Sequence, residues 1–432
     1  MSITLDQTAS KIISEIENCW DHVFLTGNAG TGKSTLLDHF RHHTKKNVAV
    51  VAPTGVAAVN VKGETIHSFF LFPPNVDTDR ARMEAKKTRN PKLYQTLDTL
   101  IIDEISMVRA DLLDSINIFL QTVRHSKQPF GGVQVVMVGD LYQLPPVVTK
   151  DEEAALASLY SSPYFFSSQV FSSLTDGLYR QIRFYELSTI YRQSEREFID
   201  ILNRVRNKQT TLADLERLNR CCVPGESFLD GYIYLTAMNR QADEINQYKL
   251  NEIEGQSIIF RGTTTGSVSE KQFPASDVLE MKTGARVMLL NNDPDDRWIN
   301  GTLGTLFQIR SDHVLVKLDN GELETVEPVT WTAYKTRLNP ETMALESHEV
   351  GSFRQLPLRL AWAITIHKSQ GKTFERVAID LGLGAFAHGQ TYVALSRCTS
   401  LSGLRLVRPL DENSIIMDNR VLHFLENIRQ TS

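Results

Sequence analysis

The sequence predicts an α/β protein: two parallel-sheet cores in tandem, the second interrupted by a small all-β module. Three observations carry this. Short, continuously apolar runs recur at Val23-Phe24-Leu25, Val48–Ala52, Leu100–Ile102 and Val135–Val138, separated by stretches long enough to cross over. That is the pattern of buried parallel strands. Similar runs return at Ile233–Thr236, Val377–Asp380 and Leu404–Val407. Between them, from about 255 to 355, the runs shorten and turn residues crowd in, which predicts hairpins instead of crossovers.

The chain opens with a helical face made by Ala9, Ile12, Ile13, Ile16 and Trp20. Thr4 and Gln7 are placed as a capping box at its start. The Gln7 amide, which donates and accepts at once, equally suits the edge of an adenine. The next strand runs into Gly27-Asn28-Ala29-Gly30-Thr31-Gly32-Lys33-Ser34, and an amphipathic segment from Thr35 to His43 follows. Strand, G-x-x-x-x-G-K-[ST] and helix in that order form a phosphate-binding loop. Its glycines let backbone N–H groups turn onto phosphate oxygens, and the helix N-terminus adds partial positive charge. Lys33 would reach the β- and γ-phosphates, and the Ser34 hydroxyl would take a place on Mg²⁺. A nucleoside triphosphate with Mg²⁺ is therefore the expected ligand pair.

The second strand ends in Pro53-Thr54-Gly55, small and hydroxylic residues that suit close approach to a ligand backbone. In Glu64-Thr65-Ile66-His67-Ser68-Phe69-Phe70, the aromatic residues are either a stacking platform for bases or ordinary core. Leu100-Ile101-Ile102 ends in Asp103-Glu104, the hydrolytic partner of such a loop. Asp103 would hold Mg²⁺, and Glu104 would orient and deprotonate the attacking water. Gly139-Asp140-Leu141-Tyr142-Gln143 follows the third long run, and a strand-end glutamine there can report the γ-phosphate.

The second core begins near Tyr191-Arg192 without a phosphate loop of its own. Ser194 and Glu197 are spaced as a capping box for a helix whose apolar stripe is Phe198, Ile199, Leu202 and Val205. Within the β module, Asp319-Asn320-Gly321 before Glu322–Val326 signals a hairpin. The α/β pattern resumes at Leu360–Ile366, runs through His367-Lys368-Ser369-Gln370-Gly371, and reaches Ala394-Leu395-Ser396-Arg397.

Composition bounds the function. At 41% hydrophobic and 22% charged, the chain reads as soluble and globular. A net charge of −5 argues against a basic tail that binds nucleic acid, though not against a local basic channel. The four cysteines, Cys19, Cys221, Cys222 and Cys398, contain no C-x-x-C pair and suggest no disulfide framework. From this sequence no secretory leader, transit peptide or membrane span is expected. The expectation is a cytoplasmic protein with no membrane partner, nucleoid-associated if the chain is bacterial.

Taken in order, these motifs resemble superfamily-one helicases over nearly the whole chain. The segment Ala110 to Gly132, ending Gln128-Pro129-Phe130-Gly131-Gly132, is similar to the signature of the PIF-type (petite integration frequency) branch. RecD-like and Dda-like helicases are the nearest alternatives. The resemblance implies two RecA-like domains with ATP in the cleft between them: domain 1A over 1–185, with a small wedge insertion 1B at about 60–80, and domain 2A over 186–254 and 356–432. It also implies an SH3-like barrel, domain 2B, at 255–355. By the same resemblance Gln7, Gly27, Ala29, Gly30, Thr31, Gly32, Lys33, Ser34, Thr35 and Gly371 would bind the nucleotide. Lys33, Asp103, Glu104 and Gln143 would be catalytic, with Arg192 and Arg397 reaching across from the second domain. Thr54, Gly55, His67, Ser68 and Phe69 on one domain, and His367, Lys368 and Ser369 on the other, would hold single-stranded DNA. The implied activity is ATP-dependent 5′-to-3′ unwinding of forked DNA, extending to G-quadruplex or RNA–DNA hybrid structures. The competing expectations are a DNA-stimulated translocase that does not unwind and an ATP-switched DNA-binding module.

Overall fold

The computed structural model describes residues 7–28, 30–73, 76–175, 182–187, 195–223, 229, 231–266, 268, 273–338, 345–382 and 384–431. The first core is a six-stranded sheet of His22–Gly27 (β1), Val48–Ala52 (β2), Glu64–Thr65 (β3), Thr99–Ile102 (β4), Gln134–Val138 (β5) and Ile182–Leu187 (β6). They lie in the order β3-β2-β4-β5-β1-β6, and every pairing is parallel. Strands β1, β4 and β5 are buried along their whole length, which is why they read as continuous apolar runs.

Alternate residues face opposite sides of this sheet. Val23, Leu25, Val50, Ile101 and Val136 pack with Ile12 and Ile16 of helix α1 (Gln7–Asn18) and Leu36, Leu37 and Phe40 of helix α2 (Lys33–His43). Phe24, Val51, Leu100, Ile102 and Met137 face the other way. There Phe119 is the hub of an aromatic cluster, edge-on to Phe70 at 5.2 Å, Phe72 at 5.7 Å and Tyr94 at 4.7 Å.

The second core is smaller. Ile233–Thr236 (β7) starts it, and the chain then leaves for the β module: Ile258–Arg261 (β8), Thr263–Gly266 (β9), Val278–Met281 (β10), Arg286–Leu289 (β11), Leu303–Ile309 (β12), Val314–Leu318 (β13), Leu323–Val326 (β14), Val329–Leu338 (β15), Leu345–Gln355 (β16) and Leu358–Leu360 (β17). It returns as Ala363–Thr365 (β18), Val377–Asp380 (β19) and Leu404–Leu406 (β20), giving a parallel sheet ordered β18-β7-β19-β20.

In the module, β14-β13-β12-β11-β17 form one antiparallel sheet. Its β13–β14 hairpin turns at Asp319-Asn320-Gly321, with Gly321 at φ 94°. Because β17 pairs with β11, the module extends past residue 355. A second element is the long hairpin β15–β16, joined by β9. It lies against the first core, and a cavity of about 120 Å³ between them is lined by Gly55, Lys62, Thr65, Ser68, Thr332 and Val350.

The last helix, Asn419–Thr431, also crosses back to the first core. Phe424 stacks on Phe166 at 4.3 Å, and Arg429 bonds Glu186 at 2.8 Å. One capping expectation needs revision. Glu197 pairs with Arg217 at 2.8 Å, so its carboxylate is engaged away from the start of helix Arg196–Arg206; Ser194 lies outside the described residues. Thr4 lies outside them as well. Phe119 is fully buried with rings on three sides, so Phe119→Ala is expected to lower unfolding free energy by about 3–5 kcal/mol in denaturant titrations.

Candidate nucleotide and nucleic-acid site

The phosphate-binding loop sits at the carboxyl end of β1, between β5 and β6, where an open parallel sheet places ligands. Gly27 is needed for close approach: a Cβ there would lie 2.7 Å from the Leu187 carbonyl oxygen and 2.8 Å from Thr31 Oγ1. Gly32 is needed for its backbone, at φ 83°, and a Cβ there would meet only open space. Helix α2 starts at Lys33 with no side-chain cap, leaving its first N–H groups to an anion. Ser34 and Thr35 are exposed at that first turn. The Thr31 hydroxyl donates to the Asn28 carbonyl at 2.9 Å. Lys33 Nζ folds back onto the carbonyls of Gly27 and Asn28 at 2.8 and 3.0 Å. Burial lowers its pKa, against the pull of Asp140, Glu104 and Asp103. Ala29 lies outside the described residues, and of Gln7 only the backbone, at the start of α1, falls within them.

Asp103 and Glu104 follow β4 and face the same region. Asp103 is buried, and its backbone N–H donates to the Val51 carbonyl at 2.9 Å. Burial raises its carboxyl pKa, while a backbone hydrogen bond and Lys33 oppose the rise. Glu104 holds a left-handed backbone at φ 49°, a conformation that costs a non-glycine residue energy and clusters at functional sites. Burial first, then Asp103, push its carboxyl up to about 7; Lys33 and Arg397 pull it down. Two desolvated acids beside one lysine supply the carboxylate oxygens that a divalent cation takes. The buried Ser106 hydroxyl beside them has no hydrogen-bond partner among the described residues.

Beyond β5, Gln143 is buried and its Nε2 donates to Asp140 Oδ2 at 3.2 Å. Helix Arg196–Arg206, tied to the second core where Glu195 Oε2 accepts from the Leu401 N–H at 2.9 Å, closes on this loop. Arg206, at the end of helix Arg196–Arg206, donates to Asp140 Oδ1 at 3.3 Å and lies 3.9 Å from the centroid of the Tyr142 ring. Asn203 on the same helix accepts from Asn28 of the phosphate loop at 3.1 Å. Sequence reasoning missed Arg206. The signal was an arginine on the apolar stripe, four residues after Leu202. Arg397 is fully buried. It donates to the carbonyls of Val393, Ser369 and Lys372 and to Ser396 Oγ, and is near enough to Glu104 to lower its pKa. Arg192 lies outside the described residues. Gly371 turns at φ 76° on the exposed surface.

The candidate DNA residues fall at strand ends on both cores. Thr54 follows β2, and its hydroxyl accepts from the Ala57 N–H to cap the helix that begins at Gly55. Ser68 is exposed and donates to Glu64 Oε2 at 3.3 Å; His67 is half-buried, and burial lowers its pKa. Phe69 is buried, edge-on to Phe70 at 4.8 Å and Tyr94 at 5.4 Å. It is therefore core, and no base can stack on it in this arrangement. On the second core, His367 is half-buried and Lys368 exposed. Lys368 lines a groove of about 410 Å³ together with Arg359, Asp243, Asn246 and Thr365. Ser369 is buried, and its hydroxyl donates to the Ile366 carbonyl at 2.7 Å, so it faces inward.

Comparison with known proteins agrees with this geometry. A family model described as PIF1-like helicase matches residues 4–216. A protein named ATP-dependent DNA helicase Pif1 from Bdellovibrio bacteriovorus is 34% identical over 416 residues, 94% of this chain and 88% of that one. The crystal structure of Bacteroides sp. Pif1 with ADP-AlF4 is 37% identical, with a TM-score of 0.92 over 100% of this chain and 98% of that one. The crystal structure of Bacteroides Pif1 bound to ssDNA is 36% identical at the same coverage, with a TM-score of 0.68. The phosphate loop, the buried acid pair and the contact of Arg206 with Asp140 thus sit in a chain that belongs to the PIF1-like helicase family.

Proposed function

We propose that this chain is an ATP-dependent DNA helicase that moves 5′ to 3′ along single-stranded DNA and separates the duplex ahead of it. One observation carries the reading. The loop 140–143 is built by the first core but held by Arg206 of the second, so the hydrolytic site is complete only when the two cores meet. Hydrolysis and inter-core motion are then one event.

Lys33 exchanges the carbonyls of Gly27 and Asn28 for phosphate oxygens. Ser34 and Asp103 would hold Mg²⁺, which neutralises phosphate charge when bound. Glu104 accepts the proton of the attacking water. The Gln143 amide faces the γ-phosphate, and Arg397 and Arg192 supply positive charge from the second domain as fingers. Gln7 reads the adenine, and Ala29, Gly371 and the remaining loop residues complete the nucleotide site. Thr54, Gly55, His67 and Ser68 hold the DNA backbone on one core, and His367 and Lys368 on the other, with Ser369 shaping the turn between them. Contacts of this kind track phosphates without reading sequence, so affinity falls steeply with salt. The buried acid pair with its base favours turnover over a static ATP-switched module. We assign 1A to the first core, which runs through β6 to Leu187, 2A to the second core, and the SH3-like 2B to the β module, which runs to β17. Forked DNA is the favoured substrate, with G-quadruplex and RNA–DNA hybrid structures as further ones. Among the described residues no helix is long and apolar enough to cross a membrane.

The wedge reading fits best at Leu71. It is 44% exposed and held at φ 58° between buried Phe70 and Phe72, an apolar tip fixed by two anchors.

Lys33→Ala is expected to abolish DNA-stimulated ATP hydrolysis. Glu104→Gln should keep nucleotide and DNA binding while turnover falls by about 100-fold or more; normal turnover would remove Glu104 as the base. The helicase reading itself is tested with duplexes carrying a 5′ or a 3′ single-stranded tail. Unwinding of the 5′-tailed duplex alone is expected, and equal activity on both contradicts the polarity. Leu71→Asn, which tolerates the left-handed backbone, should slow unwinding and leave ATP hydrolysis unchanged. Unwinding at the original rate places the wedge elsewhere.

A further inference from the structure

Asp140 is shared between the cores. Its Oδ2 accepts from Gln143 Nε2 at 3.2 Å, and its Oδ1 accepts from Arg206 at 3.3 Å and from the Tyr142 N–H at 3.2 Å. Arg206 is 5% exposed, and its other carboxylate, Glu186 at 3.5 Å, also belongs to the first core. A guanidinium so buried needs its partners, because an uncompensated buried charge is strongly destabilising.

The same loop is held from a second direction. His388 Nδ1 accepts from the Asp418 N–H at 2.8 Å, which leaves Nε2 to donate to the Leu141 carbonyl at 2.7 Å. The neighbouring Gly389, at φ 70°, presses its backbone on the loop: a Cβ there would lie 2.3 Å from the Tyr142 carbonyl oxygen and 2.7 Å from that of Gln143. The second core therefore fixes both the backbone of the sensor loop and the carboxylate inside it.

The geometry points to Arg206 as a positioning residue for Gln143: it holds one oxygen of Asp140 while the other holds the Gln143 amide, so the setting of that amide follows the placement of the second core. Arg206 touches no nucleotide in this role. When the second core shifts, Asp140 either follows Arg206 or loses a buried partner, and either outcome moves the anchor of Gln143. The inference rests on the reading of Gln143 as the group facing the γ-phosphate.

The test measures kcat and KM for ATP at saturating single-stranded DNA in the full chain, for Arg206→Gln, Gln143→Ala and the double variant. Each single change is expected to lower kcat by about tenfold with KM held within about twofold. The double variant should be no slower than the slower single one, because both changes act through one amide. Arg206→Lys, which keeps a charge on Asp140, should recover most of the rate. Losses that multiply in the double variant, or a full kcat in Arg206→Gln, overturn the proposal. If thermal unfolding shows that Arg206→Gln does not fold, Asp140→Asn takes its place in the same cycle, with the same two outcomes. A full kcat in Gln143→Ala overturns the proposal together with the assignment of Gln143. Failure of the functional reading is distinguishable, since it appears in the unmodified chain as hydrolysis that DNA does not stimulate.

Discussion

One buried carboxylate organises the meeting of the two cores. Asp140 stands at the end of β5 with no exposed side-chain surface, bonded on one side to a first-core amide and on the other to a second-core arginine. Burying either charge without the other would be costly. The pair therefore makes a particular docking of the cores the favourable one. It places that docking beside Glu104 and Lys33, whose electrostatics both register Asp140.

From this follows the division of labour. The first sheet supplies the phosphate loop, the acids and Gln143 at the carboxyl ends of β1, β4 and β5. The second sheet supplies cations and a tail helix that returns to pack Phe424 among first-core aromatics. The β module reaches back separately, through the long hairpin β15–β16, to the edge where Thr54, Gly55 and Ser68 lie. The second core and the β module thus meet the first core at separate places, the one beside the phosphate loop and the other at the β3 edge. Bacteroides Pif1 matches this chain with TM-scores of 0.92 with ADP-AlF4, 0.88 unliganded and 0.68 bound to ssDNA, so that relative takes more than one global arrangement.

The phosphate loop, Asp103-Glu104 and Gln143 were legible because their chemistry demands fixed residues at fixed spacing on a strand end. The alternating parallel cores were legible from burial on both faces. Phe69 misled because an aromatic that lines a core and one that stacks a base look alike in sequence; only the enclosure by Phe70 and Tyr94 separates them. Ser369 misled similarly, since its hydroxyl is spent on the Ile366 carbonyl, a bond local to its turn. Arg206 went unseen because its meaning lies in a partner on another core. The hairpin β15–β16 was folded into a generic barrel because strand signals do not state which sheet edge a strand will pair with.

The central claim, that the γ-phosphate side of the site exists only when the second core is docked, is tested most directly by a spin-label distance. Labels at exposed Lys127 of the first core and Arg220 of the second would be measured with ADP-AlF4 and with ADP, in the presence of single-stranded DNA. A short, narrow distance with ADP-AlF4 and a longer or broader one with ADP is the predicted result. The same distribution in both states would contradict the account.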